Sequence, residues 1–242
     1  MADCARIYAR QEYLTPGASE TVEIIAETVR PDEHSVLLDV ACGKGEAAAT
    51  LAGRFACRIA AVELNDSFIH HTVAKAWFFN LGDLITVLRA DGRRLPVHAG
   101  VFDAAYCIGA PSIVGLEECL RELARVTKRG AHVIASDIVW RTKPAPPLGD
   151  EWSWLASAEP KLSLEQYAAV IQRAGLHVER SHVHDRSVWE DYWRPMREVA
   201  EEAKTSQPAD IGFADDIESA VALERRAVEM YIDYATFVAR KD

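Results

Sequence analysis

The residues that could do chemistry stand where apolar runs end. Val36-Leu-Leu closes on Asp39 and Val40, and a loop of small residues, Ala41-Cys-Gly-Lys-Gly45, follows. Gly43 and Gly45 can take positive φ and leave room for a ligand to lie against bare backbone. Arg58-Ile-Ala-Ala-Val-Glu63 ends in a second carboxylate, placed where one side chain can hold both hydroxyls of a ribose. Leu84–Ala90 runs into Asp91-Gly92 in the same way. The loop lacks the Gly-Lys-Ser/Thr of a phosphate cradle. Ala41 stands where a dinucleotide fingerprint has its first glycine, and Ala47 and Ala48 follow. The chemistry expected is recognition of a nucleotide-like ligand.

Other reactive groups are less ordered. His182 and His184 alternate, with Asp185 next, so His184 is a candidate general base for a hydroxyl or phenol. No third ligand stands at a known spacing from them, and no metal site is expected. Cys4, Cys42, Cys57, Cys107 and Cys119 are scattered and form no Cys-x-x-Cys pair, which indicates neither zinc nor a disulfide framework. Nothing in the sequence activates Cys42 as a nucleophile. Trp140, Trp152 and Trp154 precede Trp189, Tyr192 and Trp193, and the last three share one helical face at i, i+3, i+4. That face is either core or the wall of an apolar acceptor pocket that reads a cationic amine by cation–π contact.

The elements that must position these groups alternate strand and helix. Ala18–Val29 is an expected helix, with Ser19 or Thr21 near its start and Pro31 beyond its end. Strands are expected at 36–40, 58–63, 84–91 and 131–138. Between them, 67–80 reads as a helix that Asp66 caps, and 116–128 as one that Gly130 stops. Residues 140–160 carry four prolines and three tryptophans and read as a lid-like loop. A helix at 164–174, a strand at 176–184, two helices within 187–231 and a strand at 234–240 complete the chain.

This order resembles that of the class I S-adenosylmethionine (SAM)-dependent methyltransferases, over roughly residues 15–140. Asp39-Val-Ala-Cys-Gly-Lys-Gly45 is similar to the family's first motif, and Glu63 matches its acidic ribose ligand. Asp91 falls where the family contacts the adenine amino group, and Val101–Pro111 resembles the fourth strand. Arg125-Val-Thr-Lys-Arg-Gly130 is similar to the turn before the fifth strand. The resemblance implies an α/β, Rossmann-like three-layer sandwich. Its sheet would be seven-stranded and mostly parallel, with the last strand antiparallel between strands five and six. One domain, 1–242, would comprise a leading cover and helix (1–30), the loop at 140–160 and a helical cap inserted at 187–231. Asp39, Ala41, Gly43, Gly45, Glu63, Leu64, Asp91, Gly92 and Ile108 would hold SAM, whose product is S-adenosylhomocysteine. Leading segments in related enzymes close over the reactive methyl, which makes Tyr8 and Tyr13 acceptor-side residues and Tyr13 a second catalytic candidate. Trp140, Trp189, Tyr192 and Trp193 join them as acceptor-side residues.

Bulk properties narrow the acceptor. The chain has 242 residues, enough for one sizeable core, and 49% are hydrophobic and 26% charged, which excludes wholesale disorder. A net charge of −10 with no concentrated basic face disfavours nucleic acid. Ile108-Gly-Ala-Pro111 also departs from the Asp/Asn-Pro-Pro-Tyr signature of base-amino methyltransferases. A small-molecule acceptor is expected, with a protein or RNA acceptor, or SAM binding without catalysis, as alternatives. No apolar run reaches the 18 residues of a bilayer span, and the first residues lack a secretory pattern, so cytoplasmic residence is expected. The sequence leaves the oligomeric state open.

Overall fold

A computed structural model describes residues 2–141, 162–206 and 210–242. Its frame is a seven-stranded sheet of β1 (Val36–Val40), β2 (Arg58–Glu63), β3 (Ile85–Arg89), β4 (Phe102–Ile108), β5 (Thr127–Trp140), β6 (Leu176–Val183) and β7 (Ile232–Lys241). The spatial order is β3-β2-β1-β4-β5-β7-β6. β1 to β5 pair in parallel, and β7 runs antiparallel to both β5 and β6, as the resemblance implies. The sheet order reverses between β1 and β4, so their carboxyl ends diverge and leave a crevice there.

Helices α1 (Ala2–Arg10), α2 (Ala18–Val29), α3 (Glu46–Phe55) and α4 (Asp66–Phe78) belong to the first half. A short turn α5 (Pro111–Val114) precedes α6 (Leu116–Val126) and α7 (Leu164–Arg173). Two buried apolar clusters flank the sheet. Leu38, Val40, Leu120 and Phe237 belong to one, and Val22, Ile25, Leu37, Leu51 and Ile59 to the other. β1 is thus apolar on both faces, as a central parallel strand must be.

A third cluster lies beyond the sheet. α8 (Ser187–Ser206) and α9 (Ile211–Met230) bury Trp189, Trp193, Met196, Val199 and Ile217 against Trp140 and Tyr234. Arg141 fastens the end of α9. It pairs with Asp233 at 2.7 Å and donates to the carbonyls of Val228 and Ile232 at 2.6 and 2.8 Å. A guanidinium at a helix carboxyl end satisfies orphan carbonyls and opposes the negative end of the helix dipole.

Several boundaries differ from the expected ones for physical reasons. Asn65, not Asp66, caps α4: its Oδ1 accepts from Ser67 N–H and Phe68 N–H. Gly17, with φ 64°, starts α2, and Ser19 and Thr21 lie inside it. α6 stops at Val126, where Thr127 turns extended and its hydroxyl donates back to Leu123 O at 2.7 Å. Gly130, at φ 75°, therefore lies inside β5 and does not end the helix. A capping box of Ser163 and Gln166 opens α7. The helix α1 is not among the elements expected from sequence. The expected lid-like loop at 140–160, with Trp152 and Trp154, falls outside the described residues beyond Arg141. Among the described residues, no helix is long and apolar enough to cross a membrane.

Candidate cofactor and acceptor site

The carboxyl end of β1 runs into a loop whose backbone is bent to leave space. Ala41, Gly43 and Gly45 have φ of 55°, 55° and 75°. A Cβ on Gly45 would stand 2.5 Å from Cγ2 of Thr72, so glycine is demanded by space as well as by conformation. Thr72 Oγ1 donates to Gly43 O at 2.9 Å, which ties the loop to α4.

Glu63 braces the same loop from β2. Its Oε2 accepts Gly43 N–H at 2.9 Å, and its Oε1 accepts Leu64 N–H at 2.8 Å and Asn65 N–H at 2.9 Å. An ionised carboxylate has about four acceptor positions. Three are taken by backbone, and the fourth, on Oε2, is left for a ligand hydroxyl. The side chain that sequence assigns to a ligand is thus also the part that holds the ligand's loop in shape.

Ala41, Glu63, Leu64, Asp91 and Gly92 meet around one cavity of about 270 Å³, which Arg93 and Ile113 also line. A Cβ on Gly92 would lie 2.7 Å from Val40, so the wall there is bare backbone. Asp91 is clamped by Arg93, whose Nε and Nη2 donate to its two oxygens at 3.0 and 2.6 Å. Those bonds hold the Asp91 carboxyl below the usual carboxylate range. Asp39 lies buried at the end of β1. Its Oδ2 has no hydrogen-bond partner, nor has the neighbouring Tyr106 hydroxyl. Burial pushes the Asp39 carboxyl well above its ordinary value, and the charge of Glu63 adds to the shift. Ile108 packs into the core cluster beside β4. The next residue, Gly109 (φ 70°), brings its backbone against Thr15.

The leading segment lies across this loop. Lys44 Nζ donates to Tyr8 O at 2.6 Å and to Gln11 O at 2.5 Å. Leu14 Cδ1 stands 3.1 Å from where a Gly43 Cβ would be. Its neighbours Tyr13 and Thr15 line a second cavity of about 470 Å³, between the leading segment and α8. Residues 13–15 are therefore a partition, with Leu14 against the glycine loop and Tyr13 and Thr15 toward the larger cavity. That cavity is acidic. Glu12, Glu20 and Glu198 line it, while Arg10 is bonded to Glu202 and Arg194 to Asp191.

The acceptor-side residues separate. Tyr13 and Tyr192 line the larger cavity. Trp140, Trp189 and Trp193 do not: they are buried in the cap cluster, where Trp193 Nε1 donates to Glu224 at 2.7 Å. The i, i+3, i+4 face was the core alternative for the two tryptophans, because α9 and Tyr234 pack onto it. Tyr8 packs its ring on Phe68, with centroids 5.5 Å apart. Burial raises the Tyr13 phenol, which works against its serving as a base at neutral pH. Cys42 is likewise pushed far up by burial, so it holds no reactive thiolate.

His184 is buried, with both ring nitrogens engaged. Nδ1 lies 2.7 Å from Glu20 Oε2, and Nε2 lies 2.7 Å from Thr236 Oγ1. Asp185, the partner adjacent in sequence, instead caps α8 through Ser187 N–H. Glu20, Thr236, Lys44 and Leu14 escaped sequence reasoning because their roles depend on contacts across the fold. Lys44 alone had a signal, as the one cation within the glycine loop.

Comparison with known proteins agrees with this geometry. Residues 38–135 match the family described as a methyltransferase domain. An O-methyltransferase of Pyrenophora dematioidea is 26% identical over 174 residues, 66% of this chain and 64% of that protein. The ubiquinone/menaquinone biosynthesis C-methyltransferase of Allorhizobium ampelinum is 26% identical over 63% of this chain and 68% of its own. Three of the curated relatives are matched over only 64%, 52% and 65% of their length. Among solved structures, a SAM-dependent methyltransferase from Geobacter sulfurreducens with S-adenosylhomocysteine superposes at a TM-score of 0.77. It shares 19% identity over 100% of this chain and 98% of that one. The fold is the one seen in solved SAM-dependent methyltransferases. The stretch that matches the methyltransferase-domain family, residues 38–135, contains every expected cofactor residue.

Proposed function

We propose that this protein transfers a methyl group from SAM to a small-molecule acceptor and releases S-adenosylhomocysteine. The observation that carries the reading is the convergence of Ala41, Glu63, Leu64, Asp91 and Gly92 on one cavity beside the Gly43–Gly45 loop. The residues suit such a ligand. Glu63 Oε2 keeps an acceptor position for a ribose hydroxyl, and Asp91 supplies an anion for the adenine amino group. Asp39 Oδ2, buried without a partner, is the acceptor for the ligand's methionine end, directly or through water. When bound, SAM supplies an electrophilic methyl on a good leaving group, so the chain's task is alignment and exclusion of water.

The acceptor is assigned to the larger cavity, with the partition at Tyr13–Thr15 as the boundary at which the two ligands meet. Four carboxylates (Glu12, Glu20, Asp191 and Glu198) against two arginines (Arg10 and Arg194) leave that wall net negative, which favours an acceptor that is cationic or rich in hydrogen-bond donors. Neither that wall nor the net charge of −10 suits a nucleic acid. The fold alone would not decide the chemistry. A [4+2]-cyclase, SpnF, has a TM-score of 0.72 at 23% identity over 93% of this chain and 81% of its own.

The test is transfer of labelled methyl from SAM into a host lysate separated into small-molecule and macromolecular fractions, with Glu63→Ala protein as the blank. Label in the small-molecule fraction supports the reading and yields a compound to identify. Label confined to macromolecules replaces it with a protein or RNA acceptor, and no label in either points to SAM binding without transfer.

A further inference from the structure

Beside the acceptor cavity, three ligating side chains from distant parts of the chain come together. Glu20 lies in the first turn of α2, and His182 and His184 stand two residues apart at the end of β6. One ligand atom from each can be chosen so that all three lie within 4.8 Å of one another. Alternate residues of an extended chain point to the same side, which is why both imidazoles face Glu20. Their rings are 4.8 Å apart at 86°, so they approach from different directions, as ligands around one centre do.

A count of hydrogens points the same way. Thr21 Oγ1 lies 2.9 Å from Gly17 O and 2.8 Å from Thr236 Oγ1, and Thr236 Oγ1 lies 2.7 Å from His184 Nε2. His184 Nδ1 completes the row, 2.7 Å from Glu20 Oε2. Each of these four contacts needs a hydrogen, and two hydroxyls with a neutral imidazole bring three. When Thr21 donates to Gly17 and Thr236 to Thr21, Nε2 must carry the ring proton. Nδ1 then turns a lone pair toward a carboxylate. A cation shared by the two removes that conflict. The other remedy is a second proton on the ring, which pairs an imidazolium with Glu20. The bond from Nε2 to Thr236 is also the kind that fixes the tautomer of a ligating histidine.

We propose that Glu20, His182 and His184 bind a divalent transition-metal ion of the zinc class at the wall of the acceptor cavity. Two imidazoles and one carboxylate suit zinc, with a fourth position left for water or an oxygen of the acceptor. Ligand atoms at about 2.0 Å from zinc in tetrahedral geometry lie about 3.3 Å apart, so Nδ1 and Oε2 need only separate by about half an ångström. Glu20 is about half exposed (47%) and can make that movement, and it lines the cavity, which gives an ion a way in. Binding needs no methyl transfer, so the site stands or falls apart from the catalytic reading.

The test uses the full chain, free of tag and stripped with chelator, titrated with Co²⁺ and read by visible absorption. Zn²⁺ is then titrated by calorimetry. One equivalent with the bands of a four-coordinate cobalt site, displaced by Zn²⁺, is the expected result. His182→Ala and Glu20→Gln should each weaken binding at least tenfold. These two positions are chosen because His184 is buried and its replacement threatens the fold. Zn²⁺ should raise the melting temperature of the wild type and leave that of His182→Ala unmoved. Absence of stoichiometric binding overturns the proposal and leaves an imidazolium–Glu20 pair. Binding that both variants retain unchanged also overturns it, because the ion would then sit elsewhere.

Discussion

At the scale of residues, the site works by what has been left out as much as by what is present. A side chain at position 45 would meet Thr72 in a backbone region that L-residues avoid. The left-handed conformation alone costs roughly 1–2 kcal/mol. Gly45→Ala should lower the melting temperature by about 2–8 °C in a chain of this size, measured by calorimetry. An unchanged melting temperature would mean that the loop relaxes freely and is not the rigid cradle described. On the proposed function Asp91 is expected to be a weaker anchor than Glu63, because it is only half-buried and its oxygens already serve Arg93. Asp91→Asn should weaken SAM binding by about twofold to tenfold, the range for one hydrogen bond of about 0.5–1.5 kcal/mol. A hundredfold loss would make Asp91 the principal anchor. These residues were legible because glycine and strand-end carboxylates carry their reasons locally. The partnership of His184 with Glu20 was not, since 164 positions separate them and the adjacent Asp185 offered a nearer but wrong partner.

At the scale of elements, strands and most helices were legible because apolar periodicity decides them. Cap residues were less so, because neighbours compete: Asn65 wins over Asp66, and Thr127 ends α6 before Gly130 is reached. The helix α1 is held by partners distant in the chain. It rests against α8, with Arg10 bonded to Glu202, and its end is tied to the glycine loop by Lys44. Lys44→Ala should speed amide exchange across residues 8–14 while leaving exchange in β1 and β4 unchanged. Equal acceleration throughout would show that Lys44 supports the whole core instead. In the cap, Glu224 meets Trp193 in a setting whose burial raises its pKa. A carboxyl with a raised folded pKa binds protons more tightly when folded, so its contribution is full below about 4.5 and is lost as pH rises above that. Glu224→Gln keeps an acceptor for the indole without the buried charge. It should raise the melting temperature at pH 7, with the gain shrinking toward pH 4. A gain that does not change with pH would remove the buried charge as its cause.

At the scale of the whole molecule, a parallel sheet opens a crevice where its order reverses, and a bent loop and two carboxylates line a cavity there. A second, acidic cavity lies between the leading segment and α8. The residues around the glycine loop were legible from sequence. The larger cavity was not, since its wall gathers residues 10–20 and 188–198, whose patterns report only helices and turns. Trp189 and Trp193, for which the sequence left core and pocket wall open, lie with Trp140 in the buried cluster between cap and sheet. The central claim is that the cavity at Glu63 holds SAM and that Glu63 both contacts it and shapes its loop. Calorimetric titration of S-adenosylhomocysteine into wild-type and Glu63→Ala protein tests this most directly. One site per chain should appear in the wild type, and the variant should bind at least about tenfold more weakly. That loss corresponds to charge-assisted hydrogen bonds of about 1.5–3 kcal/mol. Equal affinity in the two proteins, or no binding to the wild type, would contradict the account.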